Sequence, residues 1–262
     1  METIRPPPLD PRRHALFLDF DGSIVDFAPT PDTIVLRPGT IALLENVSRR
    51  LGGALAIVTG RRIADIDRYL SPLLLPASGV HGREFRPQPG DLRDDPPPAE
   101  IEQARRRLRA ALGPDDRIGL EDKGSALVLH YRAHPDRRIL AEALAADAVR
   151  GLDTLHILAG HAVFEILQRG ITKGRALRRF MRRPPFAGRI PVFVGDDATD
   201  EDGMRGAAAE GGFGVKIGPE ESVAAYRLPD TESVHNWLSR LTKSLPAGNL
   251  HYSGPLRSEA LS

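Results

Sequence analysis

Asp19 and Asp21 are the first residues of the chain able to do chemistry. They close the run Ala-Leu-Phe-Leu at residues 15–18 and are followed at once by Gly22. An apolar run that stops at a turn glycine reads as a buried strand. Positions two apart on a strand share a face, so two carboxylates are brought together where the backbone bends. Like charges that close repel, and they are tolerated when a cation sits between them or when one carboxyl keeps its proton. A hard divalent ion with oxygen ligands, Mg²⁺ above all, meets the first condition, and general acid/base work meets the second. A carboxylate can also act as a nucleophile and carry a phosphoryl group as an aspartyl-phosphate. The plain alternative is an Asx turn at a strand end. A calcium loop fits poorly, because such a loop follows a helix and Thr30 stands where its glutamate belongs.

A second acidic group, Asp196, Asp197, Asp200, Glu201 and Asp202, puts five acids in seven positions directly after Val192-Phe193-Val194-Gly195. Surface acidity does not explain why the group abuts a buried strand, and a cation site does. Thr59-Gly60 ends another apolar run ahead of a helical stretch, where a hydroxyl and a helix N-terminus suit a phosphate oxygen; a helix cap is the competing reading. Lys173 opens a helix after the expected N-cap Thr172, against the preference of that end for anions. It is one of only four lysines, Lys123, Lys173, Lys216 and Lys243, in a chain with 36 basic residues.

The elements that must hold these groups follow from pattern. Helix is expected over 38–51 and up to 70, with strands over 54–58, 77–80 and 191–194. Strands alternating with helices give a parallel sheet with right-handed crossovers. A last strand over 214–217 and a helix over 232–241 follow. Between residues 84 and 168 the pattern changes. A Pro-rich stretch over 86–98 leads to a helix over 99–112, strands over 118–121 and 125–131 turning at Asp122-Lys123-Gly124, a helix over 136–150, and strands over 154–158 and 162–167 turning at Gly160-His161. Helix-strand-strand, twice, reads as an inserted α+β domain with an antiparallel sheet. The expected architecture is therefore α/β: a Rossmann-like parallel-sheet core over 14–84 and 168–245 with the insert over 85–167. A flexible arm is expected over 1–13 and a flexible tail over 246–262. Within the insert, Val128, His130 and Arg132 alternate with Leu129 and Tyr131. Glu121, Lys123, His130, Arg132 and Glu165 then line a polar sheet face, fit either for a hydroxyl-rich ligand or simply for water.

Composition sets bounds. A net charge of +1 gives no field that implies nucleic acid, and the Arg105–Arg109 cluster reads as a solvated helix face. The absence of cysteine excludes disulfides, thiolate catalysis and zinc-cysteine sites. With no stretch of membrane-spanning length and no signal-peptide core at the N-terminus, a cytoplasmic protein is expected, acting as a monomer on a small molecule.

Asp19-Phe20-Asp21, Thr59, Lys173 and Asp196-Asp197 occur in the order and with the residue types of the four motifs of the haloacid dehalogenase superfamily, and the insert sits where that superfamily places its larger cap. Within it the chain resembles the trehalose-6-phosphate phosphatases. The segments that carry this are Gly79-Val80-His81-Gly82-Arg83-Glu84, Glu121-Asp122-Lys123-Gly124, Leu129-His130-Tyr131-Arg132, Glu165, Thr172-Lys173-Gly174 and the stretch from Val192 to Glu201. Ser23 and Thr59 depart from the commoner threonine and serine but keep the hydroxyl. The resemblance implies Mg²⁺-dependent hydrolysis of trehalose 6-phosphate, the last step of trehalose biosynthesis. It makes Asp19 the nucleophile and a Mg²⁺ ligand, and Asp21 the general acid/base that lends its backbone carbonyl to the metal. Asp196 completes the metal ligands, with Asp197 and Asp200 near or behind them. Thr59 and Lys173, with Phe20 and Gly60, hold the phosphoryl group, and Glu121, Lys123, Arg132 and Glu165 read the sugar. A phosphatase acting on another sugar phosphate and a non-catalytic sugar-phosphate-binding module are the rival expectations.

Overall fold

A computed structural model describes residues 4–26, 33–94, 96–160 and 162–243. The chain opens with β1 (His14–Leu18), then α1 (Thr40–Arg50), β2 (Leu55–Val58), α2 (Ile63–Leu70), β3 (Ala77–Gly79), β4 (Glu84–Arg86) and β5 (Arg93–Asp94). There follow α3 (Ala99–Ala111), β6 (Gly119–Asp122), β7 (Leu127–His130), α4 (Arg138–Val149), β8 (Leu155–Gly160) and β9 (Val163–Gln168). The last elements are α5 (Lys173–Met181), β10 (Ile190–Gly195), α6 (Asp200–Ala209), β11 (Phe213–Ile217), β12 (Tyr226–Leu228) and α7 (Thr231–Lys243).

The first sheet has the order β12-β11-β10-β1-β2-β3-β4-β5. Strands β12 to β3 are parallel, and β1 is central, with Leu16 opposite both Val192 and Leu55. Helices cover both faces, which is why β1, β2 and β10 are runs of fully buried residues and not alternating ones. Phe17 lies among Phe180 and Phe186, and Phe85 packs on Phe180 with ring centroids 4.5 Å apart. From β1 the chain builds β2 and β3 on one side and later returns to place β10 on the other. The order therefore reverses at β1, and the crevice at the carboxyl ends of β1 and β10 is where an open α/β sheet binds ligands.

Two expectations change. The Pro-rich stretch after residue 84 does not leave the sheet at once: β4 folds back antiparallel on β3 and pairs with β5, so the first sheet runs on to Asp94. Glu84 cannot be replaced by a loop residue there, because its buried Oε2 accepts Ile63 N at 2.6 Å and so caps α2. The N-terminal arm is tied down from Ile4 onward. Ile4 O accepts Arg227 N, Pro7 O accepts the Trp237 indole N–H at 2.9 Å, and Leu9 is buried. The expected tail, Thr30 and the hairpin tip at His161 lie outside the described residues.

The second sheet is antiparallel, in the order β6-β7-β9-β8. Leu127, Leu129, Phe164 and Ile166 on one face form a core with Ile101, Ala104 and Leu108 of α3 and Ala141, Ala145 and Ala148 of α4. The other face carries the cross-strand row Glu121, Val128, Glu165 and Leu158. This face is not left to water. Val128, Ala126 and Leu167 are buried, and Ala126 and Leu167 pack on Val80 in the turn that follows β3.

Candidate active site

At the end of β1 the strand turns. Asp19 N still donates to Val194 O, while Gly22, at φ 72°, sends its N–H to Val25 O at 2.8 Å and closes a tight turn that a side chain would strain. This separates the two acids by partner. The Asp19 carboxylate is buried and its Oδ1 accepts from Lys173 Nζ at 2.8 Å. The Asp21 carboxylate accepts from Arg61 Nε at 2.6 Å and Nη2 at 2.8 Å. The repulsion expected of a like-charged pair is thus met with one cation for each.

Lys173 begins α5, capped by Thr172, whose hydroxyl accepts Arg175 N at 3.1 Å. Its ammonium is buried and also donates to Asp200 Oδ1 at 2.7 Å. Burial works against that charge, but Asp19, Asp200 and Asp197 raise its pKa well above the usual lysine value, so it is a fixed positive charge. The cation that looked out of place at a helix start therefore has buried anionic partners.

The acidic run after β10 divides its work. Asp200 is fully buried at the first turn of α6, and its Oδ2 accepts the N–H groups of Asp196 and Asp197, each at 3.0 Å. Asp197 Oδ1 accepts from Thr199 N, Thr199 Oγ1 and Asp200 N. Asp202 receives Gly174 N at 2.8 Å, and Glu201 receives Val223 N at 2.9 Å. Asp196 Oδ1, like Glu201 Oε1, is buried and has no hydrogen-bond partner among the described residues, but Asp196 stands beside Asp19 and Asp200. One carboxylate oxygen from each of Asp19, Asp196 and Asp200 falls within 4.8 Å of the others.

These groups fit a hard cation. Burial, then the charge of Asp200, pushes Asp19 well above the carboxylate range. Burial, then Asp200 and Asp197, pushes Asp196 up to about 7, and burial raises Asp200 to about 6. Asp197 goes the other way, to about 2, because the Lys173 charge and the Thr199 hydrogen bond outweigh its loss of hydration. Lys173 and Lys216 oppose these charges, and Lys216 Nζ donates to Asp196 O. A hard divalent ion would relieve the crowding that raises Asp19, Asp196 and Asp200, and an all-carboxylate donor set with an orphaned Asp196 oxygen suits it. A cleft of about 420 Å³ opens on Asp196 and Asp197, between Gly22 and Gly218.

Of the remaining expected residues, Thr59, Phe20, Gly60, Lys123 and Glu165 are linked to this end of the first sheet by contacts. Thr59 follows β2 directly and is buried, its Oγ1 accepting Arg61 N at 3.1 Å, and Phe20 is fully buried with the Arg61 guanidinium 5.9 Å from its ring centroid. Gly60 O accepts Lys123 Nζ at 3.0 Å from the second sheet. Glu165 reaches His81 Nε2 at 2.9 Å, and Glu121 instead pairs with His130 at 2.8 Å. Arg132 is half-buried two residues beyond β7. Asp200, expected near or behind the ligands, lies beside Asp19 and Asp196. Two residues at the site carry weaker signals in the sequence: Arg61 stands next to Thr59-Gly60, and Lys216 shares the scarcity that marks Lys173. His81, in the turn after β3, is the partner of Glu165.

A trehalose-phosphatase family profile matches residues 17–231, and so spans both sheets. A probable trehalose-phosphate phosphatase of Sinorhizobium fredii is 38% identical over 230 residues, covering 87% of each chain. The trehalose-6-phosphate phosphatase of Escherichia coli is 34% identical over 234 residues, covering 89% of this chain and 88% of its own. Among solved structures, the C-terminal domain of a Candida albicans trehalose-6-phosphate phosphatase superposes with a TM-score of 0.74 at 18% identity, over 93% of this chain and 99% of that one. That likeness speaks for the fold, which haloacid dehalogenase phosphatases share. Profile and relatives cover the same span that brings Asp19, Lys173, Asp196 and Asp200 together, and by them the chain belongs to the trehalose-phosphatase family of phosphoric monoester hydrolases.

Proposed function

We propose that this chain hydrolyses trehalose 6-phosphate to trehalose and inorganic phosphate through an aspartyl-phosphate on Asp19, with Mg²⁺ at Asp19 and Asp196, as the last step of trehalose biosynthesis. The observation that carries the reading is the buried Lys173 bridge between Asp19 and Asp200, beside the orphaned Asp196 oxygen, in a chain of this family. Mg²⁺, when held by Asp19, Asp196 and the backbone carbonyl of Asp21, with Asp200 behind, supplies charge for the phosphoryl oxygens.

Phosphoryl transfer asks chiefly for in-line placement and charge neutralisation. Lys173 neutralises Asp19 so that its carboxylate can approach an anionic ester, and Thr59 with the Phe20 and Gly60 backbone completes the phosphoryl pocket. Asp19 attacks phosphorus while the bond to the sugar oxygen breaks, and Asp21 gives that oxygen its proton. Asp21 then takes a proton from water, whose oxygen attacks the aspartyl-phosphate; the phosphate leaves and Asp19 is restored. Glu121, Lys123, Arg132 and Glu165, carried on the second sheet, read the disaccharide hydroxyls, and closure of that sheet as a cap over the first excludes bulk water.

The test is phosphate release from trehalose 6-phosphate, sucrose 6-phosphate and glucose 6-phosphate, with Mg²⁺ and with EDTA, for the wild type and Asp19→Asn. Metal-dependent release from the trehalose ester, absent in Asp19→Asn, is the expected result. Preference for another ester overturns the substrate and keeps the chemistry, while no release from any ester by folded protein favours a binding module.

A further inference from the structure

The segment after β3 is strained for a reason the reaction alone does not supply. Val80 at φ 46° and His81 at φ 56° both sit in the left-handed region, although the next residue is a glycine and the first is β-branched. Backbone bonds to the phosphate loop hold them there: Val80 N donates to Arg61 O at 2.9 Å, and His81 N to Thr59 O at 3.0 Å. The turn drives the His81 ring inward, 6% exposed, onto Gly60, where a Cβ would stand 2.7 Å from Cε1 and Nε2. From that position Nε2 meets Glu165 Oε2 at 2.9 Å, across the seam between the sheets. Val80 fills the same seam against Ala126 and Leu167.

Two groups expected to read the sugar, Glu165 and Lys123, have polar contacts that reach the Thr59–His81 side of the first sheet, one through His81 and one through Gly60 O. The contact with His81 engages Glu165 Oε2, so one carboxylate oxygen is anchored and Oε1 is the one to meet a hydroxyl. We propose that His81 is a positioning residue for sugar recognition: its Nε2–H fixes Glu165 so that the second carboxylate oxygen meets the substrate only when the cap is seated on the phosphate loop. Specificity then depends on a residue of the core as well as on the cap. The proposal rests on the reading of Glu165 as a sugar-facing group.

The experiment compares kcat/KM for three sugar esters, those of trehalose, sucrose and glucose, with that for 4-nitrophenyl phosphate, which has no sugar hydroxyls. His81→Asn keeps a residue that tolerates left-handed backbone but withdraws the donor. It should lower kcat/KM on the preferred sugar ester by about tenfold to a hundredfold, mostly through KM, the effect of one charge-assisted hydrogen bond. The loss on the aryl ester should stay within about threefold, the scale expected when no such bond is made to the substrate. His81→Gln, which can return an N–H near the same place, should recover part of the loss. In a Glu165→Gln background His81→Asn should add little. Equal losses on sugar and aryl esters, or losses that multiply with Glu165→Gln, would overturn the proposal. So would a wild type that prefers no sugar ester to the aryl one. A wild type that prefers sucrose or glucose 6-phosphate would instead refute the assigned substrate, and the His81 comparison would be decided on that ester.

Discussion

Arg61 holds both oxygens of Asp21, with Nε 2.6 Å from Oδ2 and Nη2 2.8 Å from Oδ1, and its guanidinium lies 5.7 Å from the Tyr69 ring centroid. A two-pronged clamp of this kind fixes the plane of a carboxylate as well as its place, which a lysine cannot do. If Asp21 moves the proton in both halves of the reaction, an Arg61→Met variant keeps Asp19 and Lys173 intact and loses that alignment. Turnover of the sugar ester should fall by roughly 10²-fold to 10⁴-fold, the range of a general acid/base contribution. An aryl phosphate, whose leaving group departs without a proton, should give a burst of nitrophenol stoichiometric with enzyme followed by slow turnover, because Asp19 is still phosphorylated and hydrolysis stalls. Rapid-quench or stopped-flow absorbance checks this, and a variant with neither burst nor turnover would place Arg61 in the first half of the reaction instead.

Metal removal should show in stability as well as in rate. The wild type, with an excess of negative charge at Asp19, Asp196 and Asp200, should melt higher in Mg²⁺ than in EDTA, stabilised by about 2.7 kcal/mol at a hundredfold excess over Kd. Asp196→Asn should lose that increment. In EDTA, however, it should melt above the wild type, since it removes a half-buried carboxylate crowded by Asp200 and Asp197, with one buried oxygen left without a partner. Thermal unfolding of both proteins in both buffers decides it. An Mg²⁺ increment that survives the substitution would place the ion elsewhere.

What the sequence made legible was whatever depends on local order along the chain. The run Ala-Leu-Phe-Leu ahead of Asp19 could only be a buried strand, and the two helix-strand-strand units could only pair antiparallel. Lys173 at a helix start advertised an anion. What stayed hidden needs tertiary geometry. Asp196, Asp197 and Asp200 are alike in type, and only the fold shows that Asp197 serves the first turn of α6 while Asp200 is turned inward to Lys173. Glu84 capping α2 from 21 residues away, and His81 meeting Glu165 across 84, leave no spacing signature at all. The Pro-rich stretch misled for a related reason: prolines mark a break in local pattern, and here the chain makes one more hairpin on the sheet before it breaks.

Gly195 should be intolerant of any side chain. A Cβ there would stand 2.1 Å from Asp200 Cγ and 2.5 Å from its Oδ2, with no flexible neighbour to give way. Gly195→Ala must push Asp200 off the N–H groups of Asp196 and Asp197 and away from Lys173, so the loss should be of metal-dependent activity before it is of fold. Near-complete loss of turnover with retained secondary structure by circular dichroism is expected. Gly211→Ala is the control for an ordinary positive-φ glycine, at φ 80° with open space around it, and should cost only modest stability.

Glu165 gives the sign of an acid effect. Burial alone would raise its pKa, but the charges of His81 and Lys123 and the hydrogen bond from His81 bring it down from 4.5 to about 2. A carboxylate depressed in the folded state contributes stability that is fully present above its unfolded value and disappears as pH falls through the folded one. The window is therefore about pH 4.5 down to 2, and the contribution is of the order of a few kcal/mol. Wild type and Glu165→Gln, unfolded in urea at a series of pH values from 6 to about 3.5, should differ by a constant amount above pH 5 and converge below 4.5. Since the contact joins the second sheet to the turn after β3, the loss should appear first as faster amide exchange along β9 and the Val80–Gly82 segment, with β1 and β10 still protected. A difference that does not change with pH would mean that the Glu165 charge contributes nothing to holding the two sheets together.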